Sequence, residues 1–187
     1  FEEIISLFER ALEIDRQLFE EDSRLLGERL EQYGVALLTM GNYGEAEIKL
    51  QRAYDIAANY YGEYDPYVAG ICNNLAVALK NMKKSEKAEI MYKRSLDITT
   101  EVYGPDDYRV SIAKANLSQA LIQLGKSEEA QQIFDEALKN LSGKPLEGET
   151  ATVMASMLST MGDAMREKKD FTRSIEYFEK ALTIQKG

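Results

Sequence analysis

Phe8-Glu9-Arg10-Ala11-Leu12 is the first of five related pentapeptides in the chain. Three copies follow at intervals of 42 residues and a last one after 44: Leu50-Gln51-Arg52-Ala53-Tyr54, Tyr92-Lys93-Arg94-Ser95-Leu96, Phe134-Asp135-Glu136-Ala137-Leu138 and Phe178-Glu179-Lys180-Ala181-Leu182. We place the two extra residues of the last interval between Leu141 and Thr150, where glycine and proline cluster, because a loop accepts an insertion that a packed helix does not. The chain is therefore an array of one repeated structural unit.

Other positions recur with the same period and indicate helices. Large side chains align at Tyr33, Leu75, Leu117 and Met161, and again four residues later at Leu37, Leu79, Leu121 and Met165. A spacing of four residues places both sets on one helix face. Small residues align in the two halves of the unit, at Gly34, Ala76, Ser118 and Gly162 and at Ala46, Ala88, Ala130 and Ser174. Because small side chains let two helices approach closely, each unit is predicted to be a packed helix pair.

Turn and capping residues separate the predicted helices. Within units, one helix ends and the next begins at Met40-Gly41-Asn42, Met82-Lys83-Lys84 and Leu124-Gly125-Lys126. Between units, residues that end one helix and cap the next occur in three stretches: Phe19-Glu20-Glu21-Asp22-Ser23, Tyr61-Gly62-Glu63-Tyr64-Asp65-Pro66 and Tyr103-Gly104-Pro105-Asp106-Asp107. The pattern predicts no strand, and helices over residues 2–18, 23–40, 43–60, 66–82, 85–102, 107–124, 127–141, 149–168 and 171–186.

The composition excludes several classes of function. The chain has 187 residues and a net charge of −9, from 23 Lys and Arg against 32 Asp and Glu. An acidic surface repels the phosphates of nucleic acid and of anionic membranes, and no apolar stretch of the sequence has the about 20 residues that a membrane span requires. With no histidine and one cysteine, the usual zinc sites and nucleophilic triads are excluded, and we predict no cofactor, metal site or catalytic residue. The lone cysteine favours an intracellular, cytoplasmic protein, or an organellar one if a leader has been removed.

The repeated residues resemble the tetratricopeptide repeat. That pattern has small residues at its eighth, twentieth and twenty-seventh positions, the last of these being Ala53, Ser95, Ala137 and Ala181 here. The 42-residue period, the Tyr-Gly-Pro-Asp linker and the stretch Cys72-Asn73-Asn74-Leu75-Ala76 resemble more specifically the long-helix version found in kinesin light chain. The resemblance implies an all-α, right-handed superhelix, an α-solenoid of antiparallel helix pairs. It implies a single array over residues 1–187, with a truncated repeat at 1–19 and repeats at 22–61, 65–103, 106–141 and 148–186.

Function is expected on the first helix of each pair, because these helices line the concave face of such a solenoid. The resemblance places the following candidates in that peptide-binding groove: Gln32, Val35, Asn73, Asn74, Val77, Lys80, Asn81, Asn116, Gln119, Gln123, Thr160 and Arg166. Amides predominate, and an amide can pair with a peptide backbone as both donor and acceptor. Asn74 and Asn116 are the best candidates, since the family carries asparagine at this position, whereas Gln32 and Thr160 depart from it. We expect a non-catalytic adaptor, scaffold or regulator that binds a partner protein.

Other interpretations stay open. A mid-helix asparagine is as often a solvated residue or an interhelical contact, and Glu28, Glu31, Asp163 and Glu167 oppose the few basic side chains, so no charge preference is predicted. The first helix lacks a partner for Ile4, Ile5, Leu7, Phe8 and Leu12, and no capping helix covers Ile175, Phe178 and Leu182. These ends predict either an excised piece of a longer chain or a homo-oligomer that self-assembles through them. A carboxylate-based enzyme is disfavoured, because no pair of acids recurs beside a nucleophile or metal site.

Three conspicuous features are interpreted as structural. Met154, Met157, Met161 and Met165 form a stripe at helical spacing that is predicted to pack in the core. Cys72 is predicted to be a buried, inert thiol. Asp106-Asp107 is predicted to cap a helix rather than to form half of a metal-binding motif.

Overall fold

The structure is a computed structural model that describes residues 2–18, 22–143 and 148–186, and every regular element within those ranges is an α-helix. In chain order they are α1 (Glu2–Leu18), α2 (Arg24–Thr39), α3 (Tyr43–Tyr61), α4 (Pro66–Asn81), α5 (Ser85–Tyr103), α6 (Tyr108–Gln123), α7 (Ser127–Ser142), α8 (Gly148–Glu167) and α9 (Phe171–Lys186). Each predicted helix boundary is reproduced to within one residue. Parts of two predicted connections, residues 19–21 and residues 144–147, lie outside the described residues.

The chain divides into two compact units, residues 1–98 and residues 99–187, and the division falls within α5. In the first unit α1 packs on α2, α2 pairs with α3, and α4 packs on α3 and beside α2. The hydroxyl of Ser95 on α5 donates to the carbonyl of Ala69 on α4 at 3.0 Å. In the second unit α6 pairs with α7, α8 pairs with α9, and α6 lies beside α8. Each unit is thus built from helix pairs whose first helices are neighbours.

Side-chain caps determine where several helices begin. Ser23 accepts a hydrogen bond from the backbone N–H of Leu26 at 3.3 Å, and Asp65 accepts one from Tyr67 at 2.8 Å with Pro66 as the first helical residue. Asp107 accepts one from the N–H of Arg109 at 2.9 Å, which confirms its predicted role as a cap. Each such cap stabilises its helix by about 1 kcal/mol.

One turn geometry joins the two helices of a pair. In the first pair the N–H of Asn42 donates to the carbonyl of Leu37 at 2.9 Å, and Gly41 donates to Leu38 at 3.0 Å, which is a Schellman motif. The central residue must adopt a positive φ, which is +76° at Gly41. In two later pairs Lys83 and Lys169 adopt φ of 60° and 63° at the same place, which costs about 1 kcal/mol more than glycine.

The recurring pentapeptide supplies the core of both units. Leu50, Tyr92 and Phe134 are at most 1% exposed. Phe8 is half-buried and stacks on Tyr33 with ring centroids 4.9 Å apart. The small residues between the helices allow this packing: a Cβ added to Gly34 would lie 2.5 Å from Cγ of Leu50. The predicted close approach of paired helices is therefore confirmed for α2 and α3.

The other predicted core residues agree with the structure except in one case. Met157, Met161 and Met165 are buried, as predicted, but Met154 is only half-buried and lines a cavity. It departs from the prediction because the α7 and α9 side chains facing it leave space there. Cys72 is buried, as predicted, and burial raises the pKa of its thiol to about 11, which disfavours the reactive thiolate.

Candidate protein-binding faces

The predicted binding residues fall on one surface in each unit. The first-helix face of unit 1 comprises residues of α2 and α4: Gln32, Val35, Asn73, Asn74, Val77, Lys80 and Asn81. The first-helix face of unit 2 comprises residues of α6 and α8: Asn116, Gln119, Gln123, Thr160 and Arg166. Gln32, Asn81 and Arg166 are exposed and the others are half-buried. All of them are therefore at the surface, as a docking role requires.

On the first-helix face of unit 1, Asn74 links neighbouring first helices. Its Nδ2 donates to Oε1 of Glu31 on α2 at 3.2 Å. Glu31 is half-buried, and burial raises the pKa of its carboxyl, while the hydrogen bond from Asn74 lowers it in part. Because an amide has two N–H groups and an oxygen, this bond uses only part of the hydrogen-bonding capacity of Asn74.

Two tyrosines extend this surface beyond the residues that sequence reasoning selected. The hydroxyl of Tyr61 donates to Oε1 of Glu28 at 2.8 Å, and Glu28 also pairs with Arg24 at 2.5 Å. The rings of Tyr61 and Tyr67 meet edge to face with centroids 5.5 Å apart. Burial, and then the carboxylates of Glu31 and Glu28, raise the pKa of the Tyr67 hydroxyl. The position of Tyr61 in a linker between repeats predicted a structural role for its side chain. The hydrogen bond to Glu28 was not predictable from the sequence.

Other residues of this face lie along α4. Nδ2 of Asn81 donates to the carbonyl of Val77 on its own helix at 2.9 Å. Asn73 and Lys80 are half-buried on the same helix. Gly70, one turn before Asn74, has open space where a Cβ would be.

On the first-helix face of unit 2, two glutamines cross from α6 to α8. Nε2 of Gln119 donates to the carbonyl of Thr160 at 3.1 Å, and Nε2 of Gln123 donates to Oε2 of Glu167 at 2.7 Å. Arg166 pairs with Asp163 at 2.6 Å on its own helix, and exposed pairs of this kind contribute little to stability. The amides thus lie in the seam between the two first helices, as Asn74 does in unit 1.

Comparison with known proteins shows the family. Two models described as tetratricopeptide repeat match the chain, one over residues 1–59 and 67–142 and the other over residues 155–187. The chain belongs to the tetratricopeptide repeat family. The predicted all-α fold class is confirmed, and proteins of this family are generally non-catalytic. No curated protein matches the chain.

Solved structures share the tetratricopeptide fold. BtubC (BKLC) from P. vanneervenii is 23% identical with a TM-score of 0.76, over 98% of this chain and 72% of that chain. The nearly identical TPR-like repeats of a Podosopora anserina protein assigned to kinesin light chain are 14% identical with a TM-score of 0.77, over 98% and 86%. MamA is 17% identical with a TM-score of 0.58, over 96% and 85%. The predicted resemblance to kinesin-light-chain repeats is confirmed, and at these identities the likeness shows the fold alone.

Two further kinds of site are absent from the described part of the chain. No group of three or more His, Cys, Asp or Glu side chains there could hold a metal ion. No helix within those residues is long and apolar enough to span a bilayer.

Proposed function

We propose that this tetratricopeptide chain is a non-catalytic interaction module whose first-helix faces bind a peptide segment or a helix of a partner protein, as adaptor, scaffold or regulator. The observation that carries the proposal is the placement of side-chain amides in the seams between neighbouring first helices, at Asn74 in unit 1 and at Gln119 and Gln123 in unit 2. An amide held by a neighbouring helix has lost rotational freedom already, so a further bond to a peptide backbone costs less entropy.

The proposed setting is the interior of a cell, in the cytoplasm or within an organelle. The one cysteine of the chain is a free, buried thiol, so this fold does not depend on a disulfide. The net charge of −9 makes a protein partner more compatible with the chain than nucleic acid.

Replacing Asn74 and Asn116 together by alanine is expected to weaken partner binding about fivefold or more. Each lost hydrogen bond removes about 0.5–1.5 kcal/mol, and two of them correspond to roughly 5–150-fold. A photo-reactive residue at either position first captures the partner, and calorimetry with that partner then compares wild type and variant. Circular dichroism checks that the variant stays helical.

The matched control changes two exposed amides of second helices, Asn59→Ala on α3 with Gln132→Ala on α7. This variant is expected to keep full affinity. Unchanged affinity in the folded Asn74→Ala, Asn116→Ala variant would show that the first-helix faces do not bind the partner.

A second candidate function is self-association through the outward face of α1. Ile4, Leu7, Ile14 and Leu18 are 43%, 63%, 53% and 68% exposed. With Ala11 they recur at alternating spacings of three and four residues, which is the pattern of a coiled-coil seam. Leu12, by contrast, is buried against the rest of unit 1.

Leu7→Glu with Ile14→Glu is expected to raise the dissociation constant of self-association at least about tenfold, because each leucine-sized side chain buried at an interface contributes about 1.5–3 kcal/mol. Analytical ultracentrifugation over a concentration series measures it. The control is Ile48→Glu with Ile90→Glu, since both side chains are 59% exposed and lie on α3 and α5. If the wild-type chain stays monomeric at its highest soluble concentration, self-association through α1 is not its function.

A further inference from the structure

A cavity of about 680 Å³ lies among α7, α8 and α9 in the second unit. Its apolar lining consists of Leu138, Met154, Leu158 and Ile184. Leu158 is 4% exposed and forms the most deeply buried part, whereas the other three are half-buried. The volume is within the range of about 300–1,000 Å³ that is typical of binding pockets. No lining residue belongs to either first-helix face, so the cavity is a separate surface feature.

The last repeat lacks the polar contacts that its predecessor makes at the same positions. Nζ of Lys114 on α6 pairs with Oε2 of Glu136 on α7 at 3.0 Å, and this contact lowers the pKa of Glu136. The residues 44 positions later are Leu158 and Lys180, which line the cavity and cannot form that pair.

The preceding repeat also makes two polar contacts through Asn140 that the last repeat lacks. Nδ2 of Asn140 donates to the carbonyl of Pro105 at 3.2 Å and to Oγ of Ser111 at 3.3 Å. The residue 44 positions after Asn140 is Ile184, whose side chain is apolar. Two polar positions of the preceding repeat are thus apolar in the last one, and both line the cavity.

The hydroxyl groups in the lining are satisfied within their own helices. Oγ of Ser142 donates to the carbonyl of Lys139 at 3.0 Å, and Oγ1 of Thr183 donates to the carbonyl of Glu179 at 2.8 Å. The cavity therefore offers an occupant mainly apolar contacts. An apolar side chain gains about 25 cal/mol for each Å² that it removes from water.

The two edges of the cavity carry opposite net charge, because Glu176 and Glu179 outnumber Lys180 on the α9 edge. Lys139 lies on the α7 edge, and Glu176 and Glu179 lie on the α9 edge. Lys180, also on α9, is placed 5.6 Å from the ring centroid of Tyr177. A helix lying between α7 and α9 would meet a positive charge on one side and negative charges on the other.

We propose that this cavity docks an amphipathic helix of a partner protein, which inserts apolar side chains between α7 and α9 and carries acidic residues toward Lys139 and basic residues toward Glu176 and Glu179. The apolar lining selects the anchors, and the two charged edges select the orientation. This docking surface goes beyond the proposed function of the first-helix faces and does not depend on it.

The test uses a defined peptide probe and a variant that carries residues of the preceding repeat at the equivalent positions of the last one. The probe is a synthetic helical peptide of about three turns, with leucines on one face, glutamates along one flank and lysines along the other. Leu158→Lys with Lys180→Glu reproduces the Lys114 and Glu136 pair between α8 and α9 and fills the cavity. Leu158 is 4% exposed, so a variant that fails to fold is replaced by Ile184→Asn, which changes a half-buried side chain.

The measurement is the methyl resonance of Met154 in methionine-labelled protein during peptide titration. We expect the peptide to shift this resonance in wild type and to bind at least about tenfold more weakly to the folded variant, because the variant has lost an apolar contact with the peptide. Ile48→Lys with Lys87→Glu makes comparable charge changes on α3 and α5 and is expected to keep full affinity. A peptide with glutamine in place of leucine is expected to leave Met154 unshifted.

Four results would overturn the proposal. The first is an unshifted Met154 at saturating peptide, and the second is equal affinity for wild type and the folded variant. The third is a shift confined to Met40 and Met82, which lie in the first unit. The fourth is a Met154 shift that follows protein concentration without peptide, which would make a second copy of this chain the occupant.

Discussion

Phe134→Ala is expected to lower the free energy of unfolding by about 3–5 kcal/mol, because truncating a fully buried aromatic side chain loses both its transfer free energy and its packing. Phe134 is 0% exposed and occupies the first position of the fourth pentapeptide. Its ring also meets that of Tyr177 edge to face, with centroids 5.7 Å apart and an interplanar angle of 87°. The substitution therefore removes a contact between α7 and α9 as well as the core of one helix pair.

Denaturant unfolding followed by far-ultraviolet circular dichroism measures this change. The chain divides into two units, so the transition of each is fitted separately if two are seen. The matched control is Phe171→Ala in the same unit, since Phe171 is 60% exposed and its loss is expected to change stability by less than about 0.5 kcal/mol. Equal effects of the two substitutions would refute the assignment of the pentapeptide to the core.

Gly34→Ala is expected to destabilise the protein by about 1–2 kcal/mol, although alanine is the better helix former by about 1 kcal/mol. The new Cβ would lie 2.5 Å from Cγ and 2.7 Å from Cδ2 of Leu50. Leu50 is 0% exposed, so it has no space into which to rotate. The helices α2 and α3 must then separate, and the cost of that separation exceeds the gain in helix propensity.

Gly70→Ala on α4 is expected to have the opposite effect on stability. Gly70 is exposed, and nothing lies within 4 Å of a Cβ added there. The substitution is expected to stabilise the protein by about 0.5–1 kcal/mol, because alanine restricts the unfolded chain more than glycine does. Thermal and denaturant unfolding of both variants gives the comparison. Stabilisation by both substitutions would show that the close contact at Gly34 does not exist.

The helices and their ends were predictable because the interactions that define them are local. Asp65 and Asp107 cap a backbone N–H two residues further along the chain. The Schellman turn at Gly41 joins residues that are at most five apart. The periodic large residues predicted the core equally well, as at Leu50 and Phe134, because helix geometry alone places them on one face.

The first-helix faces were predictable only in part. The repeat phase placed Asn74 and Gln119 at the surface of first helices, and the structure confirms those positions. That Asn74 would bond Glu31, 43 residues earlier, and that Gln119 would bond the carbonyl of Thr160, could not be read from the repeat. Side-chain direction depends on the neighbour across the seam, and that neighbour differs from one repeat to the next.

By itself, the sequence determined the repeat length, the helix boundaries and the residues that face the core, because each follows from periodicity or from contacts within a few residues. Only the tertiary structure decided that Gly34 tolerates no Cβ although Ala76 occupies the same repeat position, and that Met154 and Leu158 line a cavity instead of closing it. Distances between side chains on different helices depend on how closely those helices pack. That packing depends on the sizes of all the side chains between them, so no single repeat position can predict it.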